Sequence, residues 1–151
     1  MKLRSVLPIN RWLPGLLTVE DDFGAVVLGP FPCRGKADGQ IAAAKGNPSR
    51  FPTMPYGDHP SGAYRVLYTE TGKLPASSFG PFFLLLDPLS GRAAVAKQNG
   101  RAGLAIHGGD LNPDGSLRST KGCLRISNEA VSQIAALGPT GWFYECEEPR
   151  P

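Results

Sequence analysis

The residues best suited to covalent chemistry are a histidine and a cysteine in the second half of the chain. His107 ends a short apolar run and is followed by two glycines, and Cys123 follows Gly122, with fifteen residues between the histidine and the cysteine. That is enough chain for a loop to return and place the thiol beside the imidazole. A histidine that takes the thiol proton creates the thiolate, which is the nucleophilic form of cysteine. The spacing therefore indicates a cysteine nucleophile with a histidine base.

The residues around Cys123 fit attack on a carbonyl carbon. Lys121 and Arg125 add positive charge near the thiol, and the Arg125 guanidinium is a planar fork that suits a carboxylate. Gly122 lets the backbone approach a substrate closely. The amides of Gly122 and Cys123 are candidate oxyanion donors, and one such donor is worth roughly 3–4 kcal/mol in the transition state. The spacing alone leaves a second interpretation open, in which His107 caps a strand and Cys123 fills space in the core.

Four other residues that can titrate carry weaker signals. Cys33 has no histidine near it in sequence, and Cys146 has acidic neighbours, which raise a thiol pKa. His59 lies in a turn of prolines and glycines and is expected to be structural or solvated. Asp110 is expected to pin the glycine-rich loop by a side-chain turn. Three cysteines without a Cys-x-x-Cys pair suggest neither a disulfide framework nor a zinc ribbon. No cofactor is expected.

Charge and hydropathy argue against two kinds of partner. The 16 Lys and Arg residues outnumber the 13 Asp and Glu residues, but no basic run is longer than two. Nucleic-acid-binding proteins cluster their basic residues, so no nucleic acid is expected as a partner. No apolar run approaches the roughly 18 residues of a membrane-spanning helix. The basic start at residues 1–4 leads into a stretch broken by Pro8 and Pro14, so no signal peptide is predicted.

The elements that must hold the histidine and the cysteine are predicted to be short strands. The chain of 151 residues contains 19 glycines and 15 prolines, spread between apolar runs, which argues against long helices. With 41% hydrophobic residues, one domain over residues 1–151 can bury a core of its own. The predicted class is mainly β, a mixed α+β fold. Strands are predicted at residues 16–19, 25–28, 63–69, 82–86, 93–96, 103–106 and 141–144.

One main helix is predicted directly after the cysteine. Asn128 is its predicted N-cap, apolar residues recur at helical spacing after it, and Gly138 ends it. A shorter helical turn at residues 40–45 is predicted to be capped by Asp38. The proline-rich residues 46–62 are predicted to form a long loop.

Two motifs in the chain resemble those of the L,D-transpeptidase (YkuD-like) family. The active-site signature of that family is a histidine and a glycine, then a loop, then Ser/Thr-x-Gly-Cys with a hydrophobic residue and Arg or Asn. The sequence has His107-Gly108, then Thr120-Lys121-Gly122-Cys123-Leu124-Arg125, with Lys121 where the family often has histidine. Upstream, Tyr56-Gly57-Asp58-His59-Pro60-Ser61-Gly62-Ala63-Tyr64-Arg65-Val66 resembles the family's Thr-Pro-x-Gly-x-Tyr/Phe-x-Val element, a turn that leads into a core strand, with His59 in place of the threonine.

This resemblance implies a β-sandwich-like domain with the active site at one end. Cys123 is then the nucleophile, His107 the general base, and the Gly108 carbonyl the group that orients the imidazole. The family attacks the peptide bond between the diamino acid at position three and the D-alanine at position four of a peptidoglycan stem tetrapeptide. D-alanine leaves, a thioester forms, and an amine of a second stem resolves it as a 3-3 cross-link. The residues assigned to hold the substrate are Ser119, Thr120, Lys121 and Arg125, the last of these either on the substrate or on the active-site loop.

Three other functions share this site. Water in place of the amine gives an L,D-carboxypeptidase, which the lack of a visible signal peptide favours because a cytoplasmic enzyme meets recycled stems. A peptidoglycan-targeting toxin delivered without a signal peptide and a catalytically silent cell-wall binding module are the other two. A transpeptidase is expected in the cell envelope or periplasm, and a recycling enzyme in the cytoplasm. The resemblance also implies that carbapenem-type β-lactams acylate Cys123 and that no metal takes part.

Overall fold

Strands and short helices alternate along the chain. The structure is a computed structural model that describes residues 1–149. Residues 150 and 151 end the predicted domain and the polar tail that the sequence predicts over residues 145–151, and they lie outside the described residues. Among the described residues, no helix has the length and apolar character needed to cross a membrane. In chain order the elements are β1 Lys2–Val6, β2 Gly15–Glu20, β3 Val26–Cys33, α1 Gly39–Ala44, β4 Gly62–Thr71, α2 Ala76–Phe79, β5 Phe82–Pro88, α3 Gly91–Gln98, β6 Ala105–His107, β7 Leu124–Arg125, α4 Asn128–Ala135 and β8 Phe143–Glu147.

All eight strands of the described part of the chain lie in one mixed sheet. Its strand order is β3-β2-β1-β8-β4-β5-β6-β7, and neighbours are antiparallel except for β1 with β8 and β6 with β7. The two ends of the sheet meet where Arg34 and Arg125 exchange two backbone hydrogen bonds of 2.9 Å. The sheet is therefore nearly closed into a barrel, and the predicted class, mainly β with helices, is confirmed.

The core lies inside this sheet and under helix α4. Side chains alternate between the two faces of a strand, so Leu17 and Val19 of β2 are fully buried while the residue between them is only partly so. Helix α4 contributes one apolar face, formed by the buried Ala130, Val131 and Ile134. Helix α4 follows β7, the last strand of the sheet, and packs against β3, β5 and β6.

The N-cap of helix α4 is Ser127 and not the predicted Asn128. Ser127 has extended backbone angles, φ −68° and ψ 156°, and its side-chain oxygen accepts a hydrogen bond of 3.0 Å from the Ala130 amide. Asn128 is the first helical residue, and its side chain accepts a hydrogen bond of 2.8 Å from the Gly109 amide instead. The predicted cap is therefore a link between the helix and the loop that follows His107.

Most predicted elements lie at or near their predicted positions. The hairpin of β2 and β3, strands β4, β5 and β6, and helix α1 with Asp38 as its N-cap agree with the sequence patterns. The strand predicted at residues 93–96 is wrong, because these residues belong to helix α3. Alanine is the strongest helix former, and Ala93 and Ala96 face the core at helical spacing. Strand β8 ends later than predicted, so Cys146 lies buried in the sheet rather than in a polar tail.

The turn that leads into β4 requires glycine. Gly62 has a φ of 136°, and a Cβ atom at this position would overlap the Ser90 carbonyl oxygen. Both facts explain why a glycine stands at this position of the turn motif.

Replacing Gly62 with alanine is expected to destabilise the protein more than replacing Gly72. Gly72 also has a positive φ, 68°, but a Cβ atom there would have open space around it. Gly72→Ala therefore carries only conformational strain, about 1–2 kcal/mol, whereas Gly62→Ala adds the overlap with Ser90. Urea unfolding followed by circular dichroism measures both losses. Equal losses in the free energy of unfolding would contradict this packing explanation.

Candidate active site

Cys123 and His107 meet on adjoining parallel strands. His107 is the last residue of β6, and Cys123 directly precedes β7. The register pairs Ile106 with Leu124, so Cys123 lies level with Ala105. Residues at the same level of a parallel pair point to the same face, and side chains alternate along each strand. His107 and Cys123 are therefore diagonal neighbours on one face of the sheet.

Two cavities meet at Cys123. One, of about 490 Å³, is lined by Cys123 and by residues that include Phe79 and Lys121, which also line the second cavity. The second cavity has a volume of about 280 Å³ and is lined by both Cys123 and His107. The structure thus brings every predicted site side chain to one cavity. The second cavity is also lined by the four residues that the sequence assigns to substrate binding, which are Ser119, Thr120, Lys121 and Arg125.

The His107 imidazole is fixed in one orientation. Its Nδ1 atom donates a hydrogen bond of 2.6 Å to the Gly108 carbonyl oxygen, since a carbonyl can only accept. The Nε2 atom of the neutral ring is then unprotonated and can accept a proton. Phe79 makes an edge-on contact with the imidazole, and Phe83 stacks on it with ring centroids 5.7 Å apart. Burial lowers the pKa of His107 to about 4, so the ring is neutral at neutral pH.

The Cys123 thiol is also neutral in this structure. Cys123 is 9% exposed, and burial raises the pKa of its thiol to about 11. The Ala105 amide and the guanidinium groups of Arg101 and Arg125 offset part of this rise in pKa. The thiol donates a hydrogen bond of 3.5 Å to the Gly103 carbonyl oxygen. The resting site therefore holds a thiol and an imidazole rather than a thiolate–imidazolium pair.

Arg125 binds the protein's own backbone. Its guanidinium donates hydrogen bonds to the carbonyl oxygens of Gly108, at 3.0 Å, and Ser78, at 3.2 Å. The side chain is almost fully buried, and the main chain of Arg125 closes the sheet with Arg34. Of the two roles expected for this residue, the structure places the guanidinium on the loop that follows His107 and not in an open position for a substrate carboxylate.

The turn before Cys123 is closed by Thr120. The side-chain oxygen of Thr120 accepts a hydrogen bond from the Gly122 amide and donates one to the Cys123 carbonyl oxygen, both at 2.9 Å. The Gly122 amide is therefore occupied, which leaves the Cys123 amide as the oxyanion donor of the predicted pair. Thr120 shapes this turn, whereas Ser119 and Lys121 are more exposed and line the cavity.

A second arginine, which the sequence patterns do not reveal, lies beneath the same turn. Arg101 is 7% exposed, and a Cβ atom at Gly122, whose φ is 115°, would overlap its guanidinium. The guanidinium donates hydrogen bonds to three backbone carbonyl oxygens of the predicted long loop, 43 to 49 residues earlier in the chain. Arg101 thus joins that loop to the Cys123 turn, and only glycine fits between them. The three carbonyl groups belong to Pro52, Gly57 and Asp58.

The loop after His107 is held by helix α2. The Gly108 amide donates a hydrogen bond of 3.0 Å to the Phe79 carbonyl oxygen, and the Asp110 amide donates one of 2.8 Å to the Ser77 carbonyl oxygen. Asp110 therefore pins this loop through its backbone amide, and its exposed position leaves its carboxylate in solvent. No sequence pattern pointed to helix α2, because a helix of four residues is too short to show a periodicity.

The other candidate residues are buried in the core. His59 is structural, because its ring stacks on Tyr64 and Tyr144, and burial lowers its pKa to about 3. Burial raises the pKa of Cys33 to about 12 and also raises the pKa of Cys146, which makes both thiols poor nucleophiles. Within residues 1–149, no three His, Cys, Asp or Glu side chains form a group that could hold a metal ion.

Comparison with known proteins finds similarity in fold. Neither a family model nor a curated protein sequence matches this chain. An L,D-transpeptidase from Xylanimonas cellulosilytica DSM 15894 matches 97% of this chain and 60% of its own, with 17% identity and a TM-score of 0.53. Bd1075 from Bdellovibrio bacteriovorus matches 97% of this chain and 47% of its own, with 11% identity and a TM-score of 0.57. The Ldtfm-avibactam carbamoyl enzyme matches 99% of this chain and 49% of its own, with 14% identity and a TM-score of 0.54.

The chain therefore has the fold of L,D-transpeptidase structures. The resemblance drawn from the two sequence motifs is confirmed at the level of the fold. The chain spans 47% to 60% of the length of these three solved chains.

The pKa of the thiol predicts how Cys123 reacts with an alkylating agent. Because that pKa is raised to about 11, the thiolate fraction should rise about tenfold per pH unit between about pH 7 and about pH 10. The rate of alkylation by iodoacetamide should rise with it. Peptide mapping by mass spectrometry assigns the rate to Cys123, and Cys123→Ser is the control. A rate that levels off below about pH 8 would show a thiolate already formed at neutral pH.

Proposed function

We propose that the chain is a cysteine acyltransferase of the L,D-transpeptidase type, acting on peptidoglycan stem tetrapeptides. The strongest support is the position of Cys123 and His107 on one face of adjoining strands and in the wall of one cavity. The unprotonated Nε2 atom of His107 is the base that a neutral thiol needs. The fold in which this pair lies is that of L,D-transpeptidase structures.

The first half of the reaction forms a thioester. The Cys123 sulfur leaves the Gly103 carbonyl, gives its proton to His107 Nε2 and attacks the carbonyl carbon of the third stem residue. The resulting oxyanion accepts a hydrogen bond from the Cys123 amide. The intermediate collapses as the bond to D-alanine breaks, and the imidazolium returns its proton to the leaving amine. The acyl group is then bound to sulfur, and free D-alanine is the first product.

The Gly108 carbonyl oxygen supports His107 during this step, and Arg125 holds that carbonyl in place. The imidazolium that forms carries a positive charge, and the Gly108 carbonyl oxygen already accepts its Nδ1 proton. Arg125 donates to the same oxygen and to Ser78, which fixes the carbonyl in place. Arg125 is therefore proposed as a positioning residue, while Ser119 and Lys121 remain available at the cavity wall to bind the stem peptide.

The second half of the reaction is proposed to be transfer to an amine of another stem. Cys123 lies where two cavities meet, so an acyl group on sulfur in one cavity is open to a second molecule from the other. Attack of that amine on the thioester gives a 3-3 cross-link and restores the thiol. A reaction on intact wall takes place in the cell envelope, which is the proposed site of action. Water in place of the amine would make the protein an L,D-carboxypeptidase.

Incubation of the purified protein with disaccharide-tetrapeptides tests the proposed reaction. We expect a dimer joined between two third-position residues, detected by mass spectrometry, together with free D-alanine. Cys123→Ala should abolish product, and His107→Gln should lower the rate by about 10²-fold or more, because general base catalysis contributes about that much. Cys33→Ala is the matched control, since it removes a buried thiol that the mechanism does not use.

The products separate the competing functions. Loss of D-alanine without a dimer identifies a carboxypeptidase. Stem binding without turnover, unchanged in Cys123→Ala, identifies a cell-wall binding module. Full turnover by Cys123→Ala would refute the proposed mechanism.

A carbapenem is expected to acylate Cys123. A protein with this fold was solved as an avibactam carbamoyl enzyme, which supports covalent capture of an acylating agent by such a site. Intact-mass spectrometry after incubation should show one added carbapenem on the wild type and none on Cys123→Ala. An unmodified wild-type mass after prolonged incubation would count against a reactive nucleophile at this position.

A further inference from the structure

A buried chain of hydrogen bonds runs through the core and ends at the turn that carries Cys123. Ser5 Oγ and the Tyr144 hydroxyl lie 2.6 Å apart, and the same hydroxyl lies 3.1 Å from His59 Nε2. On the other side of the ring, His59 Nδ1 lies 3.0 Å from the Gly122 carbonyl oxygen. The three side chains have no exposed surface. The chain of bonds therefore connects strands β1 and β8 with the residue directly before Cys123.

The direction of every hydrogen bond in this chain is determined. The Gly122 carbonyl can only accept, so His59 Nδ1 carries the proton. In the neutral ring, His59 Nε2 then accepts a hydrogen bond from the Tyr144 hydroxyl. Tyr144 must in turn accept from Ser5. One tautomer of His59 thus satisfies all members of the chain.

The hydrogen bond from His59 to the Gly122 carbonyl sets the direction of the Cys123 N–H. In a trans peptide the carbonyl and the N–H of the same unit point in opposite directions. His59 holds the Gly122 carbonyl towards the core, so the N–H of Cys123, which belongs to the same peptide unit, points away from it. Cys123 lines both cavities. The proposed reaction requires a substrate carbonyl to arrive on this outward side, where the Cys123 N–H can donate to it.

The hydrogen bond from His59 matters because glycine at position 122 allows the Gly122–Cys123 peptide unit to rotate. The φ of Gly122, 115°, is accessible to glycine, whose peptide units rotate more freely than those of other residues. A rotation of the Gly122–Cys123 peptide unit would turn the amide into the core and present a carbonyl oxygen to the substrate. Such a rotation breaks the bond to His59 and leaves a buried donor without a partner.

We infer that His59 is a positioning residue that aims the Cys123 amide at the oxyanion of the acyl-transfer step. This inference rests on the proposed function, since it requires Cys123 to attack a carbonyl. It assigns a role in the reaction to a histidine that contacts neither His107 nor the thiol. His59 stands where the motif that this chain resembles has a threonine.

Two substitutions of His59 separate positioning from packing. The amide nitrogen of asparagine lies close to the position of His Nδ1, and that of glutamine close to the position of His Nε2. His59→Asn can still donate to Gly122, whereas His59→Gln can reach Tyr144 but not Gly122. Both variants lose the ring that stacks on Tyr64 and Tyr144, so each loses similar packing.

The experiment compares two reactions of the same thiol. Acylation by p-nitrophenyl acetate passes through an oxyanion, whereas alkylation by iodoacetamide displaces a group at a saturated carbon and does not. We expect His59→Gln to acylate at least about tenfold more slowly than the wild type, since loss of an oxyanion donor costs about 10²–10³-fold. His59→Asn should stay within about threefold of the wild type. Alkylation of Cys123 should differ by less than about twofold among all three proteins.

Three outcomes would overturn the inference. They are wild-type acylation by His59→Gln, equal acylation losses in both variants, and parallel losses of acylation and alkylation. Failure of the proposed function gives a different result in the same experiment. The wild type would then not be acylated by p-nitrophenyl acetate, or Cys123→Ala would be acylated as fast as the wild type.

If either variant does not fold, ¹⁵N-histidine NMR of the wild type provides the test. The inference requires the Nδ1-protonated tautomer of His59, and an Nε2-protonated ring would overturn it.

Discussion

The pair of backbone hydrogen bonds between Arg34 and Arg125 joins the two ends of the sheet. Strand β7 has only two residues, so without this pair it would be held on one side alone, by β6. Cys123 directly precedes β7, and its position therefore depends on that closure. The guanidinium of Arg125 also binds the Gly108 carbonyl, which orients His107. One residue thus connects the closure of the sheet with both members of the candidate catalytic pair.

Burial sets the charge state of this site. Removing the thiol and the imidazole from water disfavours their charged forms, which raises one pKa and lowers the other. Arg101 and Arg125 oppose the shift at Cys123 but do not cancel it. The free protein therefore holds a thiol, and in the proposed reaction the thiolate forms only when a substrate is bound. The rigid surroundings of His107, between Phe79 and Phe83, keep the base ready for that encounter.

The parts of the fold that sequence could predict are those set by neighbouring residues. The Asp38 cap, the first hairpin and the strand that ends at His107 depend on local patterns, and the spacing of His107 and Cys123 pointed to the pair. Residues 93–96 were misassigned because short apolar runs do not distinguish strand from helix. The hydrogen-bond partners of Arg101 and His59 could not be predicted, since they lie more than forty residues away in sequence and are brought close by the closed sheet.

The hydrogen bond between the Cys123 thiol and the Gly103 carbonyl also has a consequence for oxidative damage. Peroxide attacks thiolates far faster than thiols, and oxidation of cysteine beyond the sulfenic acid is largely irreversible. A thiol that is protonated and 9% exposed, as Cys123 is in this structure, offers peroxide little to attack. The same contact therefore protects the sulfur of the proposed nucleophile from peroxide while no substrate is bound.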